Sequence, residues 1–391
     1  MSKTKPDHTK PRRRTVAVQA GIGHDPAHHA IVPPLYLSST YEIPGIEQHL
    51  PYEYSRTANP TRDELAYAIC TLEQGVGAVV TSSGMAALTL IVQLLGPDDL
   101  LVAPFDCYGR SYRMLCALAE KKHFRLKFVD QYSPEGIDEI FAETPKMVLV
   151  ESPSNPVMRI ADIRAIAARA KACGAMVAVD NTFLSPILQL PLTLGADIVF
   201  HSTTKFLNGH SDIVGGCVVT SSPDIKTDLD FWANSLGLIG APFDSYMTLR
   251  GLRTLELRVH RAQENAMVIA KALAAHKAVE TVYYPGLPDH PNHDIATAQQ
   301  EGFGAMLSFD LNGSIKNVRQ FAENIKFFRL AQSLGGTESL MNHPATMTHV
   351  SMGAEAREKA GVTDQLLRLS VGVEHIDDLL EDLNNALDQS V

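Results

Sequence analysis

Chemically reactive side chains follow five short apolar runs of this sequence, each at the point where the run ends. In chain order these groups are Thr81-Ser82-Ser83-Gly84-Met85, Asp106 with Tyr108, Glu151 with Ser154 and Asn155, Asp180-Asn181, and His201-Ser202 with Thr204 and Lys205. They contain hydroxyls, carboxylates, an aromatic ring and one amine. Gathered in one pocket, such groups could bind an anion, stack on a flat ring and supply a nucleophile.

Two of these groups are suited to a phosphate. The stretch SSGMAA (82–87) is typical of a helix start with small residues. The free backbone N–H groups and the positive dipole end of a helix bind anions. Ser202 and Thr204 lie two positions apart and could donate their hydroxyls to the same phosphate.

The remaining groups complete the requirements of one cofactor. A lysine near low-dielectric walls has a lowered pKa and becomes a nucleophile, which suits Lys205. Asp180 would keep a pyridine nitrogen protonated, and Tyr108 would stack on the ring. Each residue alone is more simply a cap, a packing residue or a surface lysine, but their joint occurrence predicts pyridoxal phosphate. Neither G-x-G-x-x-G after a strand nor G-x-x-x-x-G-K-[ST] occurs as a rival signature.

The apolar runs themselves predict the sheet that must position these groups. Runs that are apolar throughout are typical of parallel strands buried on both faces. We predict such strands at GAVV (77–80), LLVAP (100–104), KMVLV (146–150), AMVAVD (175–180) and ADIVF (196–200). Helix-compatible stretches at 110–123 and 161–174 lie between them, and Gly174 is suited to a helix C-terminus. The pattern predicts an α/β fold whose strands end at one common edge.

Outside this sheet the sequence predicts two further parts. After residue 245 we expect one long helix at 249–276, a half-buried strand at 302–311 and an amphipathic terminal helix at 375–387, forming a smaller α+β domain. Residues 1–55 are rich in proline and short of regular pattern, which predicts an arm that needs a partner to pack on. The predicted domains are therefore 1–55, 56–245 and 246–391.

The composition narrows the class of protein. The chain has 391 residues and a formal net charge of −10, which argues against broad nucleic-acid binding. No apolar stretch predicts a membrane span or a secretory signal. The five cysteines lack a C-x-x-C pair, which favours a reducing cytoplasm over disulfides or zinc. We expect no metal site, since His24, His28 and His29 have no carboxylate at ligand spacing.

Several longer motifs resemble one known family. They are YEYSRTANPTRDELAYAICTLEQG, TSSGMAAL, FDCYGRSYR, VESPSNP, VDNTFLSP, HSTTKFLNGHSDIVGG, FDSYMTLRGLRTL, SLGGTESL and LLRLSVGVE. From about Val32 to the last helix, the chain resembles the Cys/Met-metabolism family of fold-type I pyridoxal-phosphate enzymes, also called trans-sulfuration enzymes. The resemblance implies a mostly parallel central sheet flanked by helices, an N-terminal arm and a smaller C-terminal domain.

The resemblance also implies a role for particular residues. Lys205 would bond to the cofactor aldehyde and then move protons, Asp180 would pair with the pyridinium nitrogen, and Tyr108 would stack on the ring. The phosphate would be held by Gly84, Met85, Ser202 and Thr204, and by Tyr54 and Arg56 of a neighbouring subunit, so that the enzyme would be a homotetramer of catalytic dimers. The substrate α-carboxylate would be bound by Arg368, helped by Asn155 and Ser333.

The implied reaction is γ-replacement on small-molecule amino-acid substrates. Within the family, the segments at 103–113 and 231–255 favour the branch that replaces the acyl group of O-succinylhomoserine with cysteine to give cystathionine. Gln332 stands where the family usually has glutamate, which leaves a γ-lyase or an O-acylhomoserine sulfhydrylase as alternatives. Glu53 could substitute for that carboxylate, Arg113 could meet the succinyl group, and Arg110 replaces the usual glycine. A catalytically silent protein on this fold and a nicotinamide dehydrogenase are further alternatives.

Overall fold

A computed structural model describes residues 11–23, 25, 27–350 and 353–390. Its helices are α1 Arg13–Val18, α2 Pro60–Glu73, α3 Gly84–Val92, α4 Gly109–Glu120, α5 Pro134–Ile140, α6 Ile163–Cys173, α7 Ser185–Leu188, α8 Pro223–Leu236, α9 Pro242–Leu252, α10 Leu255–Ala274, α11 His293–Gln299, α12 Ile315–Asn324, α13 Ala354–Ala360 and α14 Ile376–Gln389. Its strands are β1 Gly77–Thr81, β2 Leu100–Pro104, β3 Arg125–Val129, β4 Met147–Glu151, β5 Met176–Asp180, β6 Ile198–His201, β7 Gly216–Thr220, β8 Val279–Tyr283, β9 Met306–Leu311, β10 Arg329–Leu330, β11 Leu340–Asn342 and β12 Leu366–Ser370.

The first sheet contains all five predicted strands. Its order is β1-β7-β6-β5-β4-β2-β3, and every strand pair is parallel except the two that involve β7. Because β7 is antiparallel to both of its neighbours, β1 points the same way as β6. The carboxyl ends of the five predicted strands therefore meet at one edge. The apolar runs of the sequence did not indicate β3 or β7.

Helices cover both faces of this sheet. On β5, Val177 and Val179 pack on the side of α6, whereas Ala178 packs on the side of α3, α4 and α8. This alternation explains why the strands are apolar throughout. The predicted helix end at Gly174 is confirmed, since its φ of +75° is a left-handed conformation that favours glycine.

The second sheet has the order β10-β11-β12-β9-β8 and packs against α10, α12 and α14. The predicted terminal helix is confirmed as α14. The strand predicted at 302–311 is confirmed in part as β9, but the prediction that it is half-buried is wrong, because β9 is buried along its whole length. Leu307 and Phe309 face the helices, and the Ser308 hydroxyl donates to the carbonyl of Pro156 on the other side.

The single long helix predicted at 249–276 is also corrected, because the structure divides it into α9 and α10. The carbonyl of Gly251, at the end of α9, accepts a 2.8 Å hydrogen bond from Nη2 of Arg258. The Thr254 hydroxyl donates to the same carbonyl at 3.3 Å. These side chains satisfy the carbonyl of Gly251 near the end of α9, and α10 begins as a separate helix at Leu255.

The N-terminal region is only partly the irregular arm that was predicted. Residues 13–18 form α1, which packs on its own chain: Nη1 of Arg13 donates to the carbonyls of Pro186 and Ile187, and Arg13 pairs with Glu301. The rest of the arm is mostly irregular up to α2. Residues 1–10, His24 and Pro26 lie outside the described residues. Across the described residues, no helix combines the length and apolar character needed to cross a bilayer.

Candidate active site

A cavity of about 340 Å³ lies at the carboxyl edge of the first sheet. It is lined by Ser83, Gly84, Met85, Tyr108, Ser111, Glu151, Pro153, Asn155, Asp180, Thr182, Phe183, Phe200, Ser202, Thr204, Lys205, Val214, Gln332, Ser333, Leu334, Thr348 and Arg368. The ends of β1, β2, β4, β5 and β6 and the segments that follow them supply most of this lining. The rest comes from β12 and from the segments that follow β10 and β11. The cavity therefore lies where the sequence placed it, at the ends of parallel strands.

The amine of Lys205 is held inside this cavity. Its Nζ donates a 2.6 Å hydrogen bond to Oγ of Ser333. Burial, and secondarily the positive charge of Arg368, lower the pKa of Lys205 to about 8. No carboxylate forms an ion pair with this lysine among the residues that the structure describes. An amine with such a pKa is partly unprotonated near neutral pH and can act as a nucleophile or a base.

Two carboxyl groups stand side by side on the floor of the cavity. Asp180 ends β5 and Glu151 ends β4, and the two residues are partners in the register of these strands. Burial raises the pKa of Asp180, while two hydrogen bonds from Thr182 and the charge of His201 oppose that rise. Within the described chain Asp180 has no ion-pair partner. A cationic ring nitrogen in the cavity would supply one.

One wall of the cavity is suited to an anion. The helix α3 begins at Gly84, directly beside Ser202, and a Cβ at residue 84 would lie 2.8 Å from Cβ of Ser202. Only glycine permits this close approach of the helix start to Ser202. Oγ of Ser202 has no hydrogen-bond partner in the described part of the chain. The Thr204 hydroxyl is already used, since it donates to the carbonyl of Gly215 at 3.2 Å and accepts from its N–H at 3.0 Å.

The opposite wall carries a buried cation. Arg368 on β12 is 2% exposed; its Nη1 donates to Oδ1 of Asn155 at 2.8 Å, and its Nη2 donates to the carbonyl of Ser333 at 3.1 Å. Its Nε is buried and has no hydrogen-bond partner among the described residues. Burial lowers the pKa of Arg368 to about 10. Arg368 forms no ion pair with a carboxylate in the part of the chain that the structure describes. A buried guanidinium with a free donor is suited to an anionic ligand such as a substrate carboxylate.

The arrangement fits pyridoxal phosphate. The glycine-dependent helix start beside Ser202 suits the phosphate, Asp180 suits the protonated ring nitrogen, and Lys205 suits the aldehyde. When bound, this cofactor supplies an electron sink that acidifies the α-carbon of an attached amino acid. The aromatic ring of Tyr108 lines the same cavity and is available to stack.

Four predicted residues do not line this cavity. Arg56 lies 5.6 Å over the ring of the exposed Tyr54, and its Nη1 donates to the carbonyl of Asn234 at 2.7 Å. Oε1 of Glu53 contacts the backbone N–H of Leu50 and Nδ1 of His49, each at 3.2 Å. The fourth, Arg113, lies exposed on α4, as does Arg110. Gln332 lies exposed at the cavity mouth.

Some residues of the site were missed, and some members of the five predicted groups, such as Asp106, lie outside its lining. Thr348 lines the cavity, and His349 beside it contacts the carbonyl of Asn155 at 3.2 Å. They follow no apolar run, so the sequence signal that found the other groups could not find them. Asp106, the first residue of the second predicted group, does not line the cavity; it accepts hydrogen bonds from Tyr132, Ser154 and Arg159.

Comparisons with known proteins agree with this geometry. Residues 14–388 match the family model described as Cys/Met metabolism PLP-dependent enzyme. The chain is 50% identical to the cystathionine gamma-synthase of Escherichia coli over 96% of this chain and 97% of that protein. It is 45% identical to the cystathionine gamma-lyase of Bacillus subtilis over 96% and 99%.

The fold is similar to that of solved structures. The cystathionine gamma synthase of Xanthomonas oryzae pv. oryzae, in complex with aminoacrylate and cysteine, superposes with a TM-score of 0.96 at 51% identity, covering 97% of this chain and 99% of that one. The fold is that of the fold-type I pyridoxal-phosphate enzymes, and the cofactor is pyridoxal phosphate. The chain thus belongs to the Cys/Met metabolism family of PLP-dependent enzymes.

Proposed function

We propose that this chain is a cystathionine γ-synthase, which replaces the acyl group of O-succinylhomoserine with the sulfur of cysteine. The cavity supports this proposal, because Lys205 and Arg368 both contact Ser333 there. The pKa of Lys205 is lowered, and Nε of Arg368 has no partner among the described residues. The similarity to the synthases of Escherichia coli and Xanthomonas oryzae favours the synthase over other members of the family.

Arg368 and Lys205 would act directly on the substrate. Arg368, held by Asn155 and the carbonyl of Ser333, binds the α-carboxylate and so fixes the α-carbon near the amine of Lys205. Lys205 takes the proton from the α-carbon and returns it later. Succinate leaves as the bond between its oxygen and the γ-carbon breaks. The cysteine sulfur then forms a bond to the γ-carbon, and the thiol proton balances the released carboxylate.

We also propose that the active unit is a dimer within a homotetramer. Tyr54 and Arg56 lie away from the cavity of their own chain, which supports a role at the phosphate of a neighbouring subunit. Large apolar side chains are exposed on the same region and on α8 and α9, as expected of an interface: Ile43, Ile46, Leu50, Tyr54, Phe231, Leu236 and Phe243. The free thiols of all five cysteines support a reducing compartment such as the cytoplasm.

A cystathionine γ-lyase is the second candidate, and Gln332 favours it. A neutral amide at the cavity mouth cannot form an ion pair with the ammonium group of incoming cysteine as a carboxylate can. Weaker binding of the second substrate would leave more of the activated first substrate to eliminate. The lyase of Bacillus subtilis, at 45% identity, shows how close the two activities lie in sequence.

The test is a product survey with O-succinylhomoserine, with and without cysteine. The proposal expects cystathionine and succinate in equal amounts when cysteine is present. Formation of 2-oxobutyrate from cystathionine at a higher kcat/KM than the replacement reaction would assign the lyase instead. Homocysteine formed from sulfide would assign a sulfhydrylase. The variant Gln332→Glu is the matched comparison, and we expect it to lower KM for cysteine.

A further inference from the structure

Glu151 joins two segments of the cavity that come from different strands. Its Oε2 accepts a 3.0 Å hydrogen bond from the backbone N–H of Tyr108, at the start of α4. Its Oε1 accepts a 3.0 Å hydrogen bond from the backbone N–H of Asn155, in the turn after β4. Both carboxyl oxygens are therefore used, each by the backbone of a different residue of the site.

Further hydrogen bonds connect Asn155 to the opposite side of the cavity. The side chain of Asn155 accepts from Nη1 of Arg368 at 2.8 Å, and its carbonyl contacts Nε2 of His349 at 3.2 Å. One carboxyl group thus links the backbone that carries the Tyr108 ring to the residue that orients the Arg368 guanidinium. A shift of Glu151 would change the spacing between these two sides of the cavity.

Keeping a carboxyl group at this position is unfavourable for stability. Glu151 is only 9% exposed, it forms no ion pair within the described residues, and it lies in register with Asp180. Burial, and next the charge of Asp180, raise its pKa well above the usual value. A buried acidic group beside a second one costs free energy that an apolar residue would not. That cost argues that the two backbone bonds serve the site.

We propose that Glu151 is a positioning residue that fixes Tyr108 and Asn155 relative to each other around the cofactor. It acts through the backbone of both residues and does not react itself. The inference rests on the cofactor site of the proposed function, and it does not depend on which sulfur compound is the second substrate.

The test compares Glu151→Gln with Asp382→Asn in the full-length protein. Glutamine keeps the size of the side chain, but its NH₂ group cannot accept a backbone N–H, so one of the two bonds is lost. We expect the Kd of the apoenzyme for pyridoxal phosphate to rise about tenfold and the visible circular dichroism of the bound cofactor to change. Asp382→Asn alters a buried carboxylate that also accepts backbone N–H groups, those of Lys326 and Phe327, but it lies on α14 and outside the cavity lining. It should lower the unfolding temperature but keep the Kd and the visible signal.

The inference is overturned if Glu151→Gln keeps the wild-type Kd and visible circular dichroism while its unfolding temperature falls, because Glu151 would then be structural only. If Glu151→Gln does not fold, Glu151→Asp decides in its place. It keeps both oxygens but withdraws them by one methylene, and a wild-type Kd and visible signal would overturn the inference equally. A changed cofactor signal in a protein that makes no cystathionine would support this inference while rejecting the proposed function.

Discussion

The amine of Lys205 and the hydroxyl of Ser333 lie 2.6 Å apart, and Ser333 adopts a φ of +90°. The carbonyl of the same serine accepts a 3.1 Å hydrogen bond from Arg368. Lys205 follows the first sheet and Arg368 belongs to the second, so Ser333 is where the groups of the two sheets meet. A non-glycine residue in this conformation is strained, which is typical of functional sites.

Substitutions of Ser333 can distinguish its hydrogen bond with Lys205 from its hydrogen bond with Arg368. In Ser333→Ala the amine loses its partner, whereas the backbone carbonyl that meets Arg368 remains. We expect kcat to fall about tenfold or more, the effect of losing one hydrogen bond to an amine, with a small change in KM. Ser333→Gly removes the same hydroxyl and also relieves the positive φ. It should show the same kcat loss but a higher unfolding temperature than Ser333→Ala. A wild-type kcat in both variants would show that the hydroxyl does not orient Lys205.

The lowered pKa of Lys205 predicts how fast the apoenzyme takes up its cofactor. Only the unprotonated amine attacks an aldehyde, so the rate should rise with pH and level off above the pKa. With a pKa of about 8, roughly a tenth of the amine is unprotonated at pH 7. Stopped-flow absorbance of the apoenzyme mixed with pyridoxal phosphate should give a midpoint near pH 8. A midpoint above pH 10 would contradict the burial of this amine.

Two buried histidines predict a loss of stability in mild acid. Burial lowers the pKa of His290 and of His349 to about 4, and Arg368 contributes at His349. The unfolded chain therefore binds protons near pH 6.5 while the folded chain does not, so stability is full above pH 6.5 and decreases as the pH falls toward 4. Each histidine contributes at most about 3 kcal/mol to this loss.

Urea unfolding of the apoenzyme at pH 7, 6 and 5 measures this effect. His349→Gln should be less stable than the wild type at pH 7 but should lose less stability between pH 7 and 5. His123→Gln, at an exposed position, is the matched control and should leave the acid loss unchanged. Equal losses in the wild type and His349→Gln would exclude a contribution from His349.

The turn that carries Lys205 depends on Gly209. This glycine has a φ of +73°, and a Cβ there would lie 1.8 Å from Nη1 of the buried Arg258. Nη1 of Arg258 donates to the carbonyl of Phe206 at 2.8 Å, and the N–H of Gly209 donates to the carbonyl of Lys205 at 2.7 Å. Gly237 has a similar φ of +68°, but apart from its own chain neighbours no atom of the described residues lies within 4 Å of its Cβ position.

The two glycines therefore form a matched pair. Gly237→Ala should lower the free energy of unfolding by about 1 kcal/mol, the cost of the left-handed conformation alone. Gly209→Ala must also displace a buried guanidinium, and we expect a loss of about 3 kcal/mol or more, with slower cofactor uptake. Denaturant unfolding of both variants checks the difference. Equal losses would show that Arg258 moves aside without cost.

The sequence predicted the main sheet and most of the cavity because both depend on local pattern. Apolar runs end where reactive residues begin, and parallel strands bring those ends together, so Asp180, Ser202 and Lys205 were assigned correctly to one edge. The strands β3 and β7 were missed. β3 is a half-exposed edge strand with charged residues, and β7 follows an irregular loop.

Other features depend on contacts between residues distant in sequence. The break between α9 and α10 arises because Arg258 satisfies the end of α9, and no local pattern indicates that contact. The two bonds of Glu151 and the positive φ of Ser333 likewise exist only in the folded chain. The arm was predicted from its prolines, but α1 packs on its own subunit through Arg13.

The measurement that tests the account most directly is reduction of the holoenzyme with borohydride, followed by mass spectrometry of its peptides. The cavity around Lys205 predicts that the yellow protein bleaches and that a single peptide carries the pyridoxyl group on Lys205. Lys205→Arg should give no such adduct while its fold is kept. An adduct on another lysine, or a protein that binds no cofactor when pyridoxal phosphate is added, would contradict the account.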